Sequence, residues 1–273
     1  MGAIHLPRRP LQVRRPPEPA GFLTRGATIS YRYETGRADF SDLAGGFVLK
    51  AVPGFPGFPV RLASEVFQRA AQLCGAAERV TLWDPCCGSG YLLSTIGLLH
   101  RQRLAAVFGT DADPDALGVA ASNLRMLSRD GLLERRRELA GMAERHGKNS
   151  HQAAVDAADR LIAGLPSEPG PRTGTAVANA FDPEQTAAAL GGRAPDIVCT
   201  DVPYGDQVGW SGAPDDPIPA LIRSIAEIVP PSAVIAVTCR ARKVPLGDGI
   251  RAAERLKVGH RSVALVPASR IER

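Results

Sequence analysis

Short apolar runs alternate with amphipathic stretches along the chain from Val80 onward. Runs rich in Val, Ile, Leu and Ala are typical of strands buried on both faces of a parallel sheet. The stretches between them have helical spacing, and one begins with Pro114 in its first turn. This order predicts an α/β fold with a doubly wound, Rossmann-like sheet. The predicted elements are strands Val80–Trp83, Ala105–Thr110, Ala194–Thr200 and Ala233–Thr238, a closing pair Arg255–His260 and Arg261–Pro267, and helices Tyr91–Arg101 and Pro114–Leu127.

Two segments do not follow this alternation. Residues 130–168 are charged and alanine-rich and contain no strand candidate, so we predict an inserted helical pair. Residues 1–30 are rich in arginine and proline, which predicts a disordered basic extension. A translation start placed too far upstream would explain the same segment. Residues 31–273 are then expected to form one domain.

The net charge of +5 comes from the N-terminal part of the sequence. Residues 1–37 hold seven arginines against Glu18 and Glu34, and the other 236 residues hold 26 basic and 26 acidic side chains. Nucleic-acid binding by the folded part would therefore depend on local patches.

The five cysteines show neither Cys-x-x-Cys spacing nor a nearby histidine. This pattern predicts no metal site and no disulfide framework, and it favours a cytoplasmic protein. No apolar run reaches the length of a membrane span, so we expect no membrane partner. We also expect a monomer.

The segment Asp84–Gly90 has the features of a cofactor loop. Gly88 and Gly90 allow positive φ and a close approach of the backbone to a ligand. The loop leads to a helix N-terminus, which suits the carboxylate of a methionine group, and Asp84 can pair with its ammonium. The spacing and Asp84 both disfavour a dinucleotide pyrophosphate. The loop, including Cys86, therefore predicts S-adenosylmethionine, with a ligand-free glycine turn as the alternative.

Two later positions are expected to complete the cofactor site. Asp111 ends the second predicted strand, where its carboxylate can accept from both ribose hydroxyls, whereas Asp113 is interpreted as a helix N-cap. Asn179 is assigned to the adenine edge and Phe181 to the adenine ring, although a phenylalanine there is commonly part of the core.

The segment Thr200–Gly205 resembles the Asp/Asn-Pro-Pro-Tyr/Phe motif of methyltransferases that modify nucleobase nitrogens, with Val202 in place of one proline. Tyr204 offers a face on which a flipped base can stack. Asp201 offers two acceptors that match the N1–H and N2–H donors of guanine, so guanine is favoured over adenine. A plain turn at the end of a strand is the alternative interpretation.

Two rival functions remain open. Thr238-Cys239 resembles the Thr-Cys pair of cytosine C5 RNA methyltransferases, although the Asp-x-Pro-Cys partner motif has Tyr204 instead of cysteine. The chain could also be an RNA- or ribosome-binding protein with a catalytically idle cofactor pocket.

Basic residues form two clusters in the otherwise neutral part of the chain. The arginines at 135–137 lie in the predicted insertion and could equally be a solvated helix face. The second cluster follows a predicted strand end, on the side of the sheet where ligands bind, so we assign it to RNA phosphates. Its members are Arg240, Arg242, Lys243, Arg251, Arg255, Lys257, His260 and Arg261. The RNA-binding residues predicted from this cluster are Arg240, Arg242, Lys243, Lys257 and Arg261.

With these residues assembled, the chain from Tyr31 onward resembles the AviRa family of avilamycin-resistance rRNA guanine methyltransferases. The resemblance implies a bacterial S-adenosylmethionine-dependent enzyme that methylates N1 of one guanine in 23S rRNA, or in the large ribosomal subunit, and confers orthosomycin resistance. Asn179 departs from an expected Asp, and the first 30 residues have no counterpart. The resemblance is carried by Ser41-Asp42-Leu43-Ala44-Gly45, Phe58-Pro59-Val60-Arg61-Leu62-Ala63, Leu82-Trp83-Asp84-Pro85-Cys86-Cys87-Gly88-Ser89-Gly90-Tyr91-Leu92-Leu93, Leu98-Leu99-His100-Arg101 and Arg255-Leu256-Lys257-Val258-Gly259.

Overall fold

The apolar runs assemble into one seven-stranded sheet, which consists of β1 Val80–Asp84, β2 Leu104–Asp111, β3 Arg172–Val177, β4 Ile197–Asp201, β5 Val234–Cys239, β6 Glu254–Val258 and β7 Arg261–Pro267. The computed structural model describes residues 31–272 except 37, 45, 53–56, 77 and 203–213. Strands β1 to β5 pair in parallel, and β7 pairs antiparallel with both β5 and β6. The order of the strands across the sheet is β3-β2-β1-β4-β5-β7-β6.

Helices cover both faces of this sheet. Consecutive strand residues point to opposite faces, so Leu82 enters the core beneath α1 and α2, whereas Trp83 enters the core shared with α7. Burial on both faces explains why the central strands are continuous apolar runs. The helices are α1 Val60–Cys74, α2 Tyr91–Leu99, α3 Pro114–Arg125, α4 Arg129–His146, α5 Asn149–Gly164, α6 Pro183–Leu190 and α7 Pro217–Ile228.

The segment predicted as an inserted helical pair contains α4 and α5, which pack on each other and add no strand to the sheet. The Ser128 side chain caps α4 by accepting from the Gly131 N–H, and Gly147 ends this helix in a left-handed conformation. An ion pair of 2.6 Å between Arg160 and Asp42 joins α5 to the short 3-10 turn at Ser41–Leu43.

The direction of the strands decides which side chains meet. The carboxyl ends of β1, β2 and β4 lie on the same side of the sheet and carry Asp84, Asp111 and Asp201. This side, where the parallel strands end, is called the Asp201 edge. Because β7 is antiparallel to β5, with Cys239 opposite Ser262, its first residue Arg261 reaches the same edge. Four segments that are distant in sequence therefore converge there.

The β6–β7 hairpin is anchored at its base by ion pairs with α1 and with the segment before it. Glu254 of β6 accepts from Arg69 of α1 at 2.7 Å and from Arg32 at 3.0 Å. Arg69 also pairs with the fully buried Glu65 at 2.7 Å, and the Glu65 carboxylate accepts the backbone N–H groups of residues 32–34. These contacts fix the hairpin relative to α1.

No helix within the described ranges combines the length and the apolar character that crossing a bilayer requires.

Candidate functional site

The loop after β1 is held on β2 by backbone hydrogen bonds. The Cys87 N–H donates to the Thr110 carbonyl at 2.9 Å, and the Gly88 N–H donates to Asp111 Oδ2 at 2.7 Å. The loop closes on itself where the Gly90 N–H donates to the Cys87 carbonyl at 2.7 Å. The cofactor loop and the predicted ribose carboxylate are thus parts of one hydrogen-bonded unit.

Close packing explains the unusual residues of this loop. A Cβ on Gly109 of β2 would lie 2.8 Å from Cys87 Sγ, so the contact requires glycine at 109 and a small residue at 87. Trp83 is fully buried, and its indole N–H donates to Thr110 Oγ1 at 3.1 Å. Burial raises the pKa of the Cys86 and Cys87 thiols well above the ordinary range, which keeps both neutral.

Gly88 and Gly90 adopt positive φ angles of 50° and 69°, which glycine tolerates best. Gly90 is the N-cap of α2 and has no side chain with which to cap it. A Cβ at Gly90 would lie 3.0 Å from Ala120 Cα, so this glycine also allows α2 to approach α3. The first N–H groups of α2 therefore face the loop, as an anionic ligand group requires.

The Asp84 side chain is 2% exposed at the centre of this edge. Burial, together with the nearby Asp111 and Asp201 carboxylates, raises the pKa of Asp84 to about 8, and the Cys86 N–H bonded at 3.0 Å opposes the shift. A group of carboxylates that repel one another is stabilised by a cation. The site therefore suits a ligand that carries both a positive group and a carboxylate.

Asp111 is oriented by the backbone at both oxygens. Its Oδ2 accepts from Gly88, and its Oδ1 accepts from the Asp113 N–H at 3.0 Å. Each carboxylate oxygen can accept a further hydrogen bond from a ligand hydroxyl. Asp113 caps α3 by accepting from the Asp115 N–H at 2.9 Å, as predicted.

The two residues assigned to adenine follow β3, which lies beside β2. The Ala178 N–H donates to the Asp111 carbonyl at 3.0 Å, so this segment starts next to the predicted ribose carboxylate. Asn179 Oδ1 accepts the Phe181 N–H at 3.0 Å, which uses one end of its amide within a local turn. Phe181 is partly buried and packs against the core on the α7 side of the sheet.

Asp201 ends β4 in a mostly buried position, with 17% of its side chain exposed. Its Oδ2 accepts from Arg261 Nη2 at 3.5 Å, whereas its buried Oδ1 has no hydrogen-bond partner within the part of the chain that the structure describes. Burial raises the pKa of Asp201 to about 6, and Arg261 and Arg240 oppose that shift. Tyr204, which the sequence predicts as the stacking residue, lies outside the described residues.

Arg261 differs from the other predicted phosphate contacts. Its side chain is 12% exposed and lies against Asp201, with the guanidinium 5.2 Å from the centre of the Phe58 ring. This ion pair was not predicted, because residues 201 and 261 are far apart in sequence. The antiparallel direction of the closing strand was the signal that could have revealed it.

The remaining phosphate candidates, Arg240, Arg242, Lys243 and Lys257, are all exposed. The first three follow β5 at the same edge as Asp201, in a segment that Ser262 fixes by donating to the Ala241 carbonyl at 2.7 Å. In the other basic cluster, Arg135 donates to the Val48 carbonyl and Arg136 pairs with Asp159. Those two arginines therefore help to pack α4.

Cys239, the nucleophile of the rival cytosine mechanism, is 3% exposed at the end of β5. Burial raises the pKa of its thiol, which disfavours the thiolate that such chemistry needs. Among the described residues, no three His, Cys, Asp or Glu side chains are grouped so that they could hold a metal ion.

A parallel sheet with a glycine loop after β1 and an acidic side chain at the next strand end defines the class of S-adenosylmethionine-dependent methyltransferases. A family model described as rRNA methyltransferase AviRa matches residues 29–261. The chain belongs to the AviRa family of rRNA methyltransferases. This assignment confirms the resemblance, the Rossmann-like fold and the methyl donor expected from the sequence.

Individual relatives support the same assignment. A relative from Streptomyces viridochromogenes named 23S rRNA (guanine(2535)-N(1))-methyltransferase is 49% identical over 242 residues, which cover 88% of this chain and 96% of the relative. Two solved structures of rRNA methyltransferase aviRa from the same organism are 49% and 48% identical. Both have a TM-score of 0.82 and cover 89% of this chain and 98% of their own.

Proposed function

We propose that this protein transfers the methyl group of S-adenosylmethionine to N1 of a guanine in 23S rRNA. The observation that carries the proposal is the buried Asp201 carboxyl, whose Oδ1 has no hydrogen-bond partner among the described residues. Asp201 shares an edge with Asp84 and the glycine loop, as transfer between a cofactor and a base requires. The relative that is 49% identical is named for this reaction.

The cofactor residues follow from charge and backbone geometry. When bound, S-adenosylmethionine supplies an electrophilic methyl group on a sulfonium centre. We assign its ammonium to Asp84, its methionine carboxylate to the N–H groups near Gly88 and Gly90, and its ribose to Asp111. The crowding of carboxylates around Asp84 supports a cationic ligand. The other assigned residues are Cys86, Asn179 and Phe181.

Guanine N1 carries a hydrogen, so this atom becomes a good nucleophile when the proton is removed. With a pKa of about 6, Asp201 is mostly ionised at neutral pH and can accept that proton. The neighbouring N2–H group of guanine offers a second donor to the same carboxylate. Transfer is an in-line displacement, so the remaining task is to orient the base, for which Tyr204 is our candidate.

We assign the exposed residues Arg240, Arg242, Lys243 and Lys257 to the phosphates of the rRNA. They lie near the Asp201 edge, where a flipped base would enter. We further propose that the protein acts in the cytoplasm as a monomer, with rRNA or the large ribosomal subunit as its partner. The expected consequence for the cell is resistance to orthosomycins such as avilamycin.

The test is the Asp201→Asn variant, incubated with S-adenosylmethionine labelled in its methyl group and with 23S rRNA. The amide keeps the side-chain shape but cannot act as a base, so we expect transfer to fall by about 100-fold or more while cofactor affinity stays close to that of the wild type. Asp130→Asn, at an exposed position in α4, is the control. Mass spectrometry of rRNA fragments locates the methyl group.

Three results would contradict the proposal. Full activity of Asp201→Asn would remove Asp201 from the mechanism. Label on cytosine C5 that disappears in Cys239→Ser would favour the rival chemistry. Cofactor binding without any transfer to rRNA by the wild type would indicate an RNA-binding protein with an idle pocket.

A further inference from the structure

Asp201 is held by one of its two oxygens. Arg261 Nη2 lies 3.5 Å from Oδ2, both side chains are largely buried, and Oδ1 has no hydrogen-bond partner among the described residues. Arg261 is itself placed by the Phe58 ring, whose centre lies 5.2 Å from its guanidinium carbon, and Phe58 is 4% exposed. The pair is therefore a preorganised arrangement in which one carboxylate oxygen is left for a ligand.

We propose that Arg261 is a positioning residue for base methylation, which holds Asp201 ionised and oriented so that Oδ1 receives the guanine N1 proton. The identity of the base rests on the function proposed above. Arg261 thus acts through Asp201 within the site. This role is additional to the phosphate contact that the sequence predicts for it.

The proposed step balances in protons and electrons. The N1–H bond breaks, its proton moves to Asp201 Oδ1, and its electron pair remains on the base. The base then forms the N1–CH3 bond as the S–CH3 bond breaks, and the electrons of that bond stay on sulfur, which becomes a neutral thioether. The proton leaves Asp201 for solvent after the product departs.

Arg261 is required because the surroundings of Asp201 otherwise favour its neutral form. Burial is the main effect and raises the pKa of Asp201, whereas Arg261 and Arg240 lower it. Asp84 also interacts with Asp201 across the edge, and the Cys239 thiol lies close enough to respond to the Asp201 charge. Arg240 is exposed and therefore better screened by solvent than the buried Arg261.

The experiment compares Arg261→Gln, Arg261→Lys and the control Arg172→Gln, which changes an exposed arginine at the amino end of β3. The pH dependence of kcat/KM is measured with 23S rRNA at saturating S-adenosylmethionine. In Arg261→Gln we expect the acidic midpoint to rise by about one pH unit, because the carboxylate loses its buried cation. In Arg261→Lys the midpoint should rise less than in Arg261→Gln. In Arg172→Gln the pH dependence should equal that of the wild type.

The decisive measurement is how much activity Arg261→Gln recovers as the pH rises. Arg261→Gln should regain a larger fraction of wild-type activity at about pH 8.5 than at about pH 6.5, since Asp201 ionises again. A uniform loss at every pH with an unmoved midpoint would show that Arg261 has only a structural role and would overturn the inference. Unchanged activity in Arg261→Gln would overturn it as well.

A second readout separates this inference from the proposed function. Carboxyl-carbon NMR of aspartate-labelled protein, with Asp201 assigned through Asp201→Asn, follows the titration directly. If Arg261→Gln raises the Asp201 pKa while the wild type methylates no RNA, the proposed function fails but the role of Arg261 in ionising Asp201 stands. If the titration of Asp201 is the same with and without Arg261, the inference fails whatever the substrate.

Discussion

At Asp84 the fold favours a neutral carboxyl group, whereas the function proposed above requires an ionised one. The sheet buries its carboxyl beside two others, and this burial raises the pKa of Asp84 to about 8. In the absence of a ligand the group is therefore mainly protonated at neutral pH. An ammonium bound beside it would favour the ionised form, so under the assignment of Asp84 proposed above we expect cofactor binding to release a proton.

This coupling leads to a prediction about stability. An aspartate in an unfolded chain titrates at about pH 3.9, so between about pH 4 and about pH 8 the folded protein holds a proton that the unfolded chain lacks. The free energy of unfolding of the ligand-free protein then falls as pH rises through that window. Asp84→Asn removes this penalty, so we expect its melting temperature to exceed that of the wild type more at about pH 8 than at about pH 5.

Thermal denaturation at the two pH values, together with calorimetry of S-adenosylmethionine binding, measures both effects. The variant should bind the cofactor more weakly even where it is more stable, because a neutral amide replaces the carboxylate. Asp113→Asn is the matched control, since either side chain can cap α3. An equal difference in melting temperature at both pH values would contradict the protonated state of Asp84.

Among the secondary-structure elements, α3 connects the cofactor loop to the N-terminal segment through one buried side chain. Asn123 is fully buried and donates from Nδ2 to the carbonyls of Lys50 and Ser89, both at 2.9 Å. Its Oδ1 accepts the Lys50 N–H at 2.8 Å. This asparagine thus fixes Ser89 of the loop relative to a segment that lies 73 residues before Asn123 in the chain.

We expect Asn123→Ala to lower the free energy of unfolding by about 1–3 kcal/mol, because buried backbone groups lose their partners. The cofactor affinity should fall as well, since Ser89 is no longer held. Chemical denaturation and calorimetry test the two effects. Ser122→Ala, which removes a hydroxyl that bonds to Gly118 within α3, is the control, and equal behaviour of the two variants would refute the role of Asn123.

The elements that the sequence predicts well are those buried on both faces. β1, β2, β4 and β5 carry continuous apolar runs, and their parallel order brings Asp84, Asp111 and Asp201 to one edge as expected. β3 is an edge strand in which no residue is fully buried, so no apolar run marks it. The Arg261–Asp201 pair depends on the insertion of β7 between β5 and β6, which spacing along the chain does not reveal.

At the scale of the whole molecule, the basic side chains that we assign to RNA lie at one edge of a body whose charges balance. The body outside residues 1–37 has equal numbers of acidic and basic side chains. The exposed basic residues after β5 and on β6 lie on the side that presents Asp201. Long-range attraction by the body is therefore weak, and under the assignment proposed above we expect contacts at this edge to set the affinity for rRNA.

We expect Lys243→Gln to weaken 23S rRNA binding and to reduce the slope of log affinity against log salt by about 1, because one phosphate contact is lost. Cofactor affinity should not change. Filter binding over a range of salt concentrations measures the slope, with Arg172→Gln on the edge strand β3 as the control. A wild-type affinity that hardly depends on salt would exclude this surface as the RNA contact.

The antiparallel β7 also has a consequence for the order in which a ribosome builds the enzyme. Asp84, Asp111 and Asp201 all leave the exit tunnel before Arg261, because the hairpin follows them in the chain. A nascent chain can therefore form the cofactor loop while Asp201 still lacks its cation. Under the role proposed for Arg261, a growing enzyme emerging from a ribosome is expected to be less active toward that ribosome's own rRNA until β7 has joined the sheet.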